Sequence, residues 1–166
     1  MKILDLGCGN CKTKGAYGID ITPLEGVNMV YDLNKIPYPF KDNWVDVIIM
    51  NDILEHLDNP IDVIRECYRL LKKGGKLEIR VLYWNHIYNY SDPQHKHVFA
   101  PIYFEFFTKD SHRLYYFDFH FDSLKIKYTF DVNAMKKYGP FNRKRLMEKA
   151  YFHCNIIDGM HITLVK

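Results

Sequence analysis

The stretch Asp5-Leu6-Gly7-Cys8-Gly9-Asn10-Cys11-Lys12 carries two chemistries that exclude one another. Read as C-x-x-C, Cys8 and Cys11 would be a redox pair or half of a metal site, with a thiolate as the reacting group. Read as a strand entering a glycine turn, Asp5 to Gly9 would present bare backbone to a nucleotide, because Gly7 and Gly9 leave room for close approach. Two more acids favour the second reading. Asp20 and Asp32 each end an apolar run; a carboxylate at the first can accept both hydroxyl hydrogens of a ribose, and one at the second can accept from an adenine amino group. A lone G-x-G is a weak signal, but an acid in register after each of the next two strands makes it specific. The four cysteines, Cys8, Cys11, Cys67 and Cys154, include no second close pair and are too few and too irregularly spaced for a disulfide framework.

Leu54-Glu55-His56-Leu57 sets an acid beside an imidazole. His56 is the candidate general base, with locking of its loop by a hydrogen bond as the competing role. Further on, Tyr90 to Phe107 contains His95, His97 and a dense set of aromatics, and 14 of the 26 aromatic residues lie between Tyr83 and Phe121. Tyr103, Phe104 and Phe107 are candidate walls of a pocket and Tyr83 a further candidate near the site, although most aromatics in such a stretch build core. His95 and His97 stand at i, i+2 with no matching carboxylate or cysteine pair, so no metal site is expected.

These residues need elements to position them. The 166 residues suit one domain, and no apolar run approaches the roughly 20 residues of a membrane helix. Strands are expected at Lys2 to Leu6, Tyr17 to Ile21, Val27 to Leu33, Trp44 to Asn51 and Lys76 to Trp84. Between the last two, Asn59 as N-cap, Pro60 and Asp62 open a helix that Lys72, Lys73 and Gly74 should close. Ile64, Cys67, Tyr68 and Leu71 recur at helical spacing, so Cys67 is read as a small core residue. Past residue 84 the pattern predicts a helix near Pro101 to Phe107, a strand near Leu124 to Phe130, a helix from Phe141 to Phe152 and a final strand from Met160. Alternating strands and helices imply an α/β fold, a mostly parallel, doubly wound sheet in three layers.

At this level the chain resembles the class I S-adenosylmethionine-dependent methyltransferases, in the LEH-marked, type 11-like branch. The resemblance rests on "DLGCG", "GIDI", "VYDLN", "IPYPFKDNWVDVIIMNDILEHL" and "IRECYRLLKKGGKLEIRV", about half of the chain. It implies a Rossmann-like fold with S-adenosyl-L-methionine as cofactor. Carried over by position, Gly7 and Gly9 lie against its methionine part, Asp20 with Ile21 holds the ribose, and Asp32 with Leu33 meets the adenine. Asn51 serves the amino-acid end, and Asp5 positions the loop. Glu55, Tyr83, His95 and Tyr103 become acceptor-side candidates; Asp92, Pro93 and His95 match a "DP-x-H" block seen in some members. The chain departs from the pattern at Cys11, where a third glycine is usual. Only ten residues separate Gly9 from Asp20, and the chain opens directly on its first strand. Truncated N-terminal helices and an open cleft are therefore expected, closed by a homodimer partner or by the aromatic segment.

One unit is expected, with residues 1–84 holding the cofactor and residues 85–166 supplying an acceptor-side cap. A small-molecule acceptor is the leading reading. The basic run Lys136 to Lys149 keeps RNA or protein as the lesser alternative, and a solvated helix face is its bland explanation. No signal-peptide pattern opens the chain, which suggests the cytoplasm. A dinucleotide oxidoreductase would use the same loop but leaves the LEH block unexplained; a cofactor-binding subunit without catalysis also stays open.

Overall fold

The computed structural model describes residues 1–139 and 143–166. Strands β1 (Ile3–Leu6), β2 (Tyr17–Asp20), β3 (Met29–Val30) and β4 (Val45–Asn51) come first, then helix α1 (Pro60–Leu70), which runs straight into β5 (Leu71–Leu82). After α2 (Pro101–Glu105) come β6 (Ser123–Phe130), α3 (Val132–Tyr138), α4 (Arg143–Ala150) and β7 (Ile157–Val165). All seven strands join one sheet in the order β3-β2-β1-β4-β5-β7-β6. β1 to β5 pair parallel, and β7 runs antiparallel to both β5 and β6. This is the mostly parallel, Rossmann-like sheet that the sequence implies. The chain first builds outward to β3 and then returns to lay β4 on the other side of β1. Strand order therefore reverses between β1 and β4, and a crevice opens beyond their C-terminal ends.

One face of the sheet is dry. Leu4, Leu6, Ile48, Met50, Leu77, Ile79, Met160, Ile162 and Leu164 are all buried there, under α1 and the aromatic segment. Cys67 of α1 is fully buried with its Sγ 4.0 Å from Met50 Sδ, and burial pushes its thiol pKa well up, as befits a core residue. α1 begins as expected: Asn59 accepts from Asp62 N at 3.4 Å, with Pro60 in the first turn. Its end differs. The helix stops at Leu70 because the backbone N–H groups of Asn43 and Trp44 donate to the carbonyls of Arg69 and Leu70, at 3.0 and 2.8 Å, and complete the last turn from outside. Lys72 and Lys73 then belong to β5, with Lys72 Nζ 2.7 Å from Asp46 Oδ1. A second tie holds the loop before β4. The buried Glu66 accepts from Tyr38 N at 2.6 Å and from Arg69 at 2.6 Å, and Arg69 also donates to Phe40 O.

The opposite face lacks its layer among the described residues, where a doubly wound sheet would carry helices. The right-handed crossover rule sends the β1–β2 and β2–β3 connections to that side. These connections are residues 7–16 and 21–28, and neither contains a helix. The expected truncation is thus complete, and β5 shows the result. Leu77, Ile79 and Val81 are buried while Lys76, Glu78 and Arg80 are exposed, the alternation of a sheet wetted on one side. Near Asp5 the loop after β1 covers this face.

Other boundaries also shift. β3 keeps two residues of the run from Val27 to Leu33. The basic stretch from Lys136 is divided between α3 and α4 rather than forming one helix face, and Lys137 and Lys149 both lie over the Tyr138 ring. The expected helix start at Phe141 lies outside the described residues. Among those residues no helix is long and apolar enough to cross a membrane.

Candidate functional site

The crevice beyond β1 and β4 is a cleft of about 570 Å³, within the range of roughly 300–1,000 Å³ common to small-molecule sites. Its first wall is the loop after β1. Gly7 N and Cys8 N both donate to Ile19 O, at 2.8 and 3.1 Å, so the loop folds back over β2. Gly7 and Gly9 have φ of +68° and +49°, a region that side chains disfavour. A Cβ on Gly7 would stand 2.3 Å from Ile53 Cγ1, whereas one on Gly9 would meet nothing within 4 Å. Gly7 is therefore required by both space and dihedral, and Gly9 by dihedral alone.

Asp20 fixes this loop. Its Oδ2 accepts from Gly9 N at 2.8 Å and its Oδ1 from Thr22 N at 2.9 Å. Each oxygen keeps a lone pair for a ligand hydroxyl. Asp5, buried behind the loop, accepts from Thr13 N at 2.7 Å and does not reach the cleft. Gly7, Asp20, Ile21, Asp32 and Leu33 line the cleft together. Asn51 does not. Strand alternation turns its side chain to the wetted face beside Ile49 and Glu78, and Asp52, with φ +51°, presents its side chain to the cleft instead while ion-paired to Arg80.

The far wall comes from the turn Leu54–His56 and the segment from Pro93 to Lys96. Lys96 N and His97 N donate to Glu55 O at 2.8 and 3.2 Å, and Lys96 Nζ reaches Asp58 Oδ1 at 2.6 Å, which pins the two pieces together. His56 lines the cleft. Glu55 lies beneath it, 3% exposed, and neither carboxylate oxygen has a hydrogen-bond partner. Burial, with the nearby Asp52 adding to it, pushes the Glu55 carboxyl up to about 7. The ring of His95 stands 4.8 Å from that of His56, edge to face.

Four aromatic assignments are corrected. Phe104 and Phe107 are 0% and 1% exposed and stack within the core, Phe107 against Phe117 and Phe119. Tyr103 packs on Phe99 and Phe107, away from the cleft. Tyr83 sits between the two hydrophobic clusters with its ring 6.0 Å from Tyr128. Burying these rings stabilises the fold more than exposing them in a pocket would. Conversely, sequence reasoning passed over Asp52, Ile53, Asn34, Gln94 and Lys96, all of which line the cleft. Asn34, Asp52 and Ile53 lie inside the quoted motifs and Gln94 inside the DP-x-H block, so these four carried a local signal and Lys96 did not.

Cys8 is buried, and Cys11 is exposed. Burial and the carboxylates of Asp5 and Asp20 raise the Cys8 thiol pKa, the reverse of what an activated thiolate needs.

Comparison with known proteins agrees with this geometry. Residues 4–79 match the family model described as a methyltransferase domain. An uncharacterized protein of Methanocaldococcus jannaschii is 43% identical over 93 residues, covering 48% of this chain and 43% of that one. A ubiquinone biosynthesis O-methyltransferase of Vibrio vulnificus is 33% identical over 95 residues, covering 45% of this chain and 40% of that one. The chain thus spans less than half the length of these curated relatives. Among solved structures, a SAM-dependent methyltransferase from Archaeoglobus fulgidus superposes with a TM-score of 0.73 at 22% identity, over 99% of this chain and 86% of that one. Residues 4–79 thus carry a segment that matches the methyltransferase-domain family model, and by its sheet order the chain has the fold of the S-adenosylmethionine-dependent methyltransferases.

Proposed function

We propose that the chain moves the methyl group of S-adenosyl-L-methionine to a small-molecule acceptor in the cleft beyond β1 and β4. The observation that carries this reading is Asp20, whose two oxygens hold the glycine loop and the turn after β2 while keeping lone pairs for two ribose hydroxyls. Asp32 and Leu33 flank the place for the adenine, and the backbone at Gly7 accommodates the methionine part. When bound, the cofactor supplies an already activated methyl on a sulfonium. The chain's task is then to align the acceptor, keep water out and take up the acceptor's proton. His56 is the base at hand, since it lines the cleft where the methyl end would point. The names of the O-methyltransferase relatives support a small acceptor.

The wetted sheet face leaves room for a second copy of the chain beside the cleft, and we place the protein in the cytoplasm. The division of the basic run between two short helices speaks against nucleic acid as the acceptor. Transfer of radiolabelled methyl from the cofactor to a panel of phenols, alcohols and amines tests the reading. Labelling of one acceptor, abolished in Asp20→Ala, supports it. Cofactor binding without transfer to any member would instead mark a non-catalytic binding subunit.

The C-x-x-C has no part in this chemistry. Replacing both Cys8 and Cys11 by serine is expected to change cofactor affinity by no more than about threefold, on the scale of ordinary surface substitutions. Calorimetry checks this, and a loss of more than about tenfold, some 1.4 kcal/mol, would give the thiols a role.

A further inference from the structure

We infer that Glu55, His56 and His95 form a divalent transition-metal site at the edge of the cleft. One donor atom from each residue lies within 4.8 Å of the others. Three donors about 2.1 Å from a shared ion in tetrahedral geometry stand about 3.4 Å apart, so combined side-chain movements of about 1–1.5 Å close the set. Two imidazoles with one carboxylate are a donor set suited to zinc, iron(II) or manganese(II), and hold an ion while leaving positions open.

A second observation points to a cation independently of the spacing. Both oxygens of Glu55 lack a partner although the residue is 3% exposed. A buried carboxylate without hydrogen bonds or counter-charge is rare, because its desolvation goes uncompensated. No nearby cation bonds to it: Lys96 Nζ pairs with Asp58 and Arg80 with Asp52, and Arg80 and His95 act on Glu55 only through their charge, without contact. A metal ion between Glu55 and the two rings satisfies the carboxylate. The surroundings also orient a ligand, since His95 Nδ1 lies 3.1 Å from Asn89 O and so leaves Nε2 to meet the ion. The segment carrying His95 is itself held by the backbone bonds of Lys96 and His97 to Glu55 O.

The position suggests a purpose that rests on the methyltransferase reading above. His56 faces the cleft, so an open coordination position there would take an oxygen of the acceptor. A hydroxyl bound to the ion loses its proton to water more readily and becomes the nucleophile for the methyl group, so with the ion bound His56 serves as a ligand and not as the base. The substrate class is then an oxygen-bearing acceptor, such as a phenol or a hydroxy acid.

Zinc titration of the full chain by calorimetry tests the site without any turnover. One equivalent is expected to bind, and Glu55→Gln and His95→Ala are each expected to weaken binding about 100-fold, since even outer contacts of a metal ligand are worth roughly 10–100-fold. Zinc should raise the melting temperature of the unsubstituted chain and not that of either variant. If Glu55→Gln does not fold, the partly exposed His95→Ala carries the test. Absence of saturable binding, or affinity unchanged in the variants, overturns the inference. So does a thiolate charge-transfer band in the cobalt(II) spectrum, which would place the ion on cysteine. Asp20→Ala should lose cofactor binding and keep zinc, so the failure of one reading is distinguishable from that of the other.

Discussion

Asp20→Ala is expected to lower affinity for S-adenosylmethionine by about 100-fold, close to 3 kcal/mol, and to lower the melting temperature by a few degrees. Hydrogen bonds to a charged acceptor contribute about 1.5–3 kcal/mol each, and the substitution removes the proposed acceptor of two ribose hydroxyls at once. It also frees Gly9 N and Thr22 N, which donate to Oδ2 and Oδ1, so the glycine loop loses its tether as well. Asp20→Asn separates the two effects. The amide keeps one acceptor oxygen but must set its NH₂ against one of these backbone N–H groups, so an intermediate loss of about tenfold is expected. Calorimetry on the three proteins reads the series directly. A loss of less than about threefold in Asp20→Ala would remove Asp20 from the ribose site.

Gly7→Ala is expected to cost about 2–5 kcal/mol of stability and to lower the melting temperature by roughly 5–15 °C. Two terms add. Holding a residue with a Cβ at left-handed φ costs about 1–2 kcal/mol, and Gly7 has φ +68°. Overpacking costs a further 1–3 kcal/mol or so, because the new methyl would stand 2.3 Å from Ile53 Cγ1. Ile53 lines the cleft, so moving it aside also reduces cofactor affinity. Gly9→Ala is the internal control. It carries only the dihedral term, about 1 kcal/mol, since nothing lies within 4 Å of its Cβ position. Adding Ile53→Ala to Gly7→Ala should recover part of the loss, but not all, because the Ile53 Cβ itself stands 2.8 Å away. Thermal unfolding that places Gly7→Ala and Gly9→Ala at the same temperature would contradict the account.

How much of this was legible beforehand depended on whether the deciding interaction was local. Apolar runs ending in Gly7, Asp20 and Asn51 announced the strands and the side of the sheet where chemistry gathers, because strand length and turn residues are written within a few positions of each other. The start of α1 was equally local. Its end was not, for Asn43 and Trp44 complete the last turn from well outside the helix. The open face was legible in β5 as well as in the short connections: Lys76-Leu77-Glu78-Ile79-Arg80-Val81 alternates polar with apolar, which a parallel strand dry on both faces does not do. Aromatic content could not separate pocket from core, so Tyr103, Phe104 and Phe107 were drawn toward the cleft while packing took them inward. The step from Asn51 to Asp52 turned on a single residue of strand alternation and a positive φ. The contact of His56 with His95 is a product of the fold alone, because it joins the turn after β4 to a segment beyond β5.

The central claim is that the cleft between β1 and β4 holds S-adenosylmethionine. Isothermal titration of the full chain with S-adenosylmethionine, S-adenosylhomocysteine and NAD tests it most directly. The account predicts one equivalent of each sulfur compound, weakened together by Asp20→Ala, and no heat from NAD. Saturable binding of NAD, with neither sulfur compound bound, would contradict it.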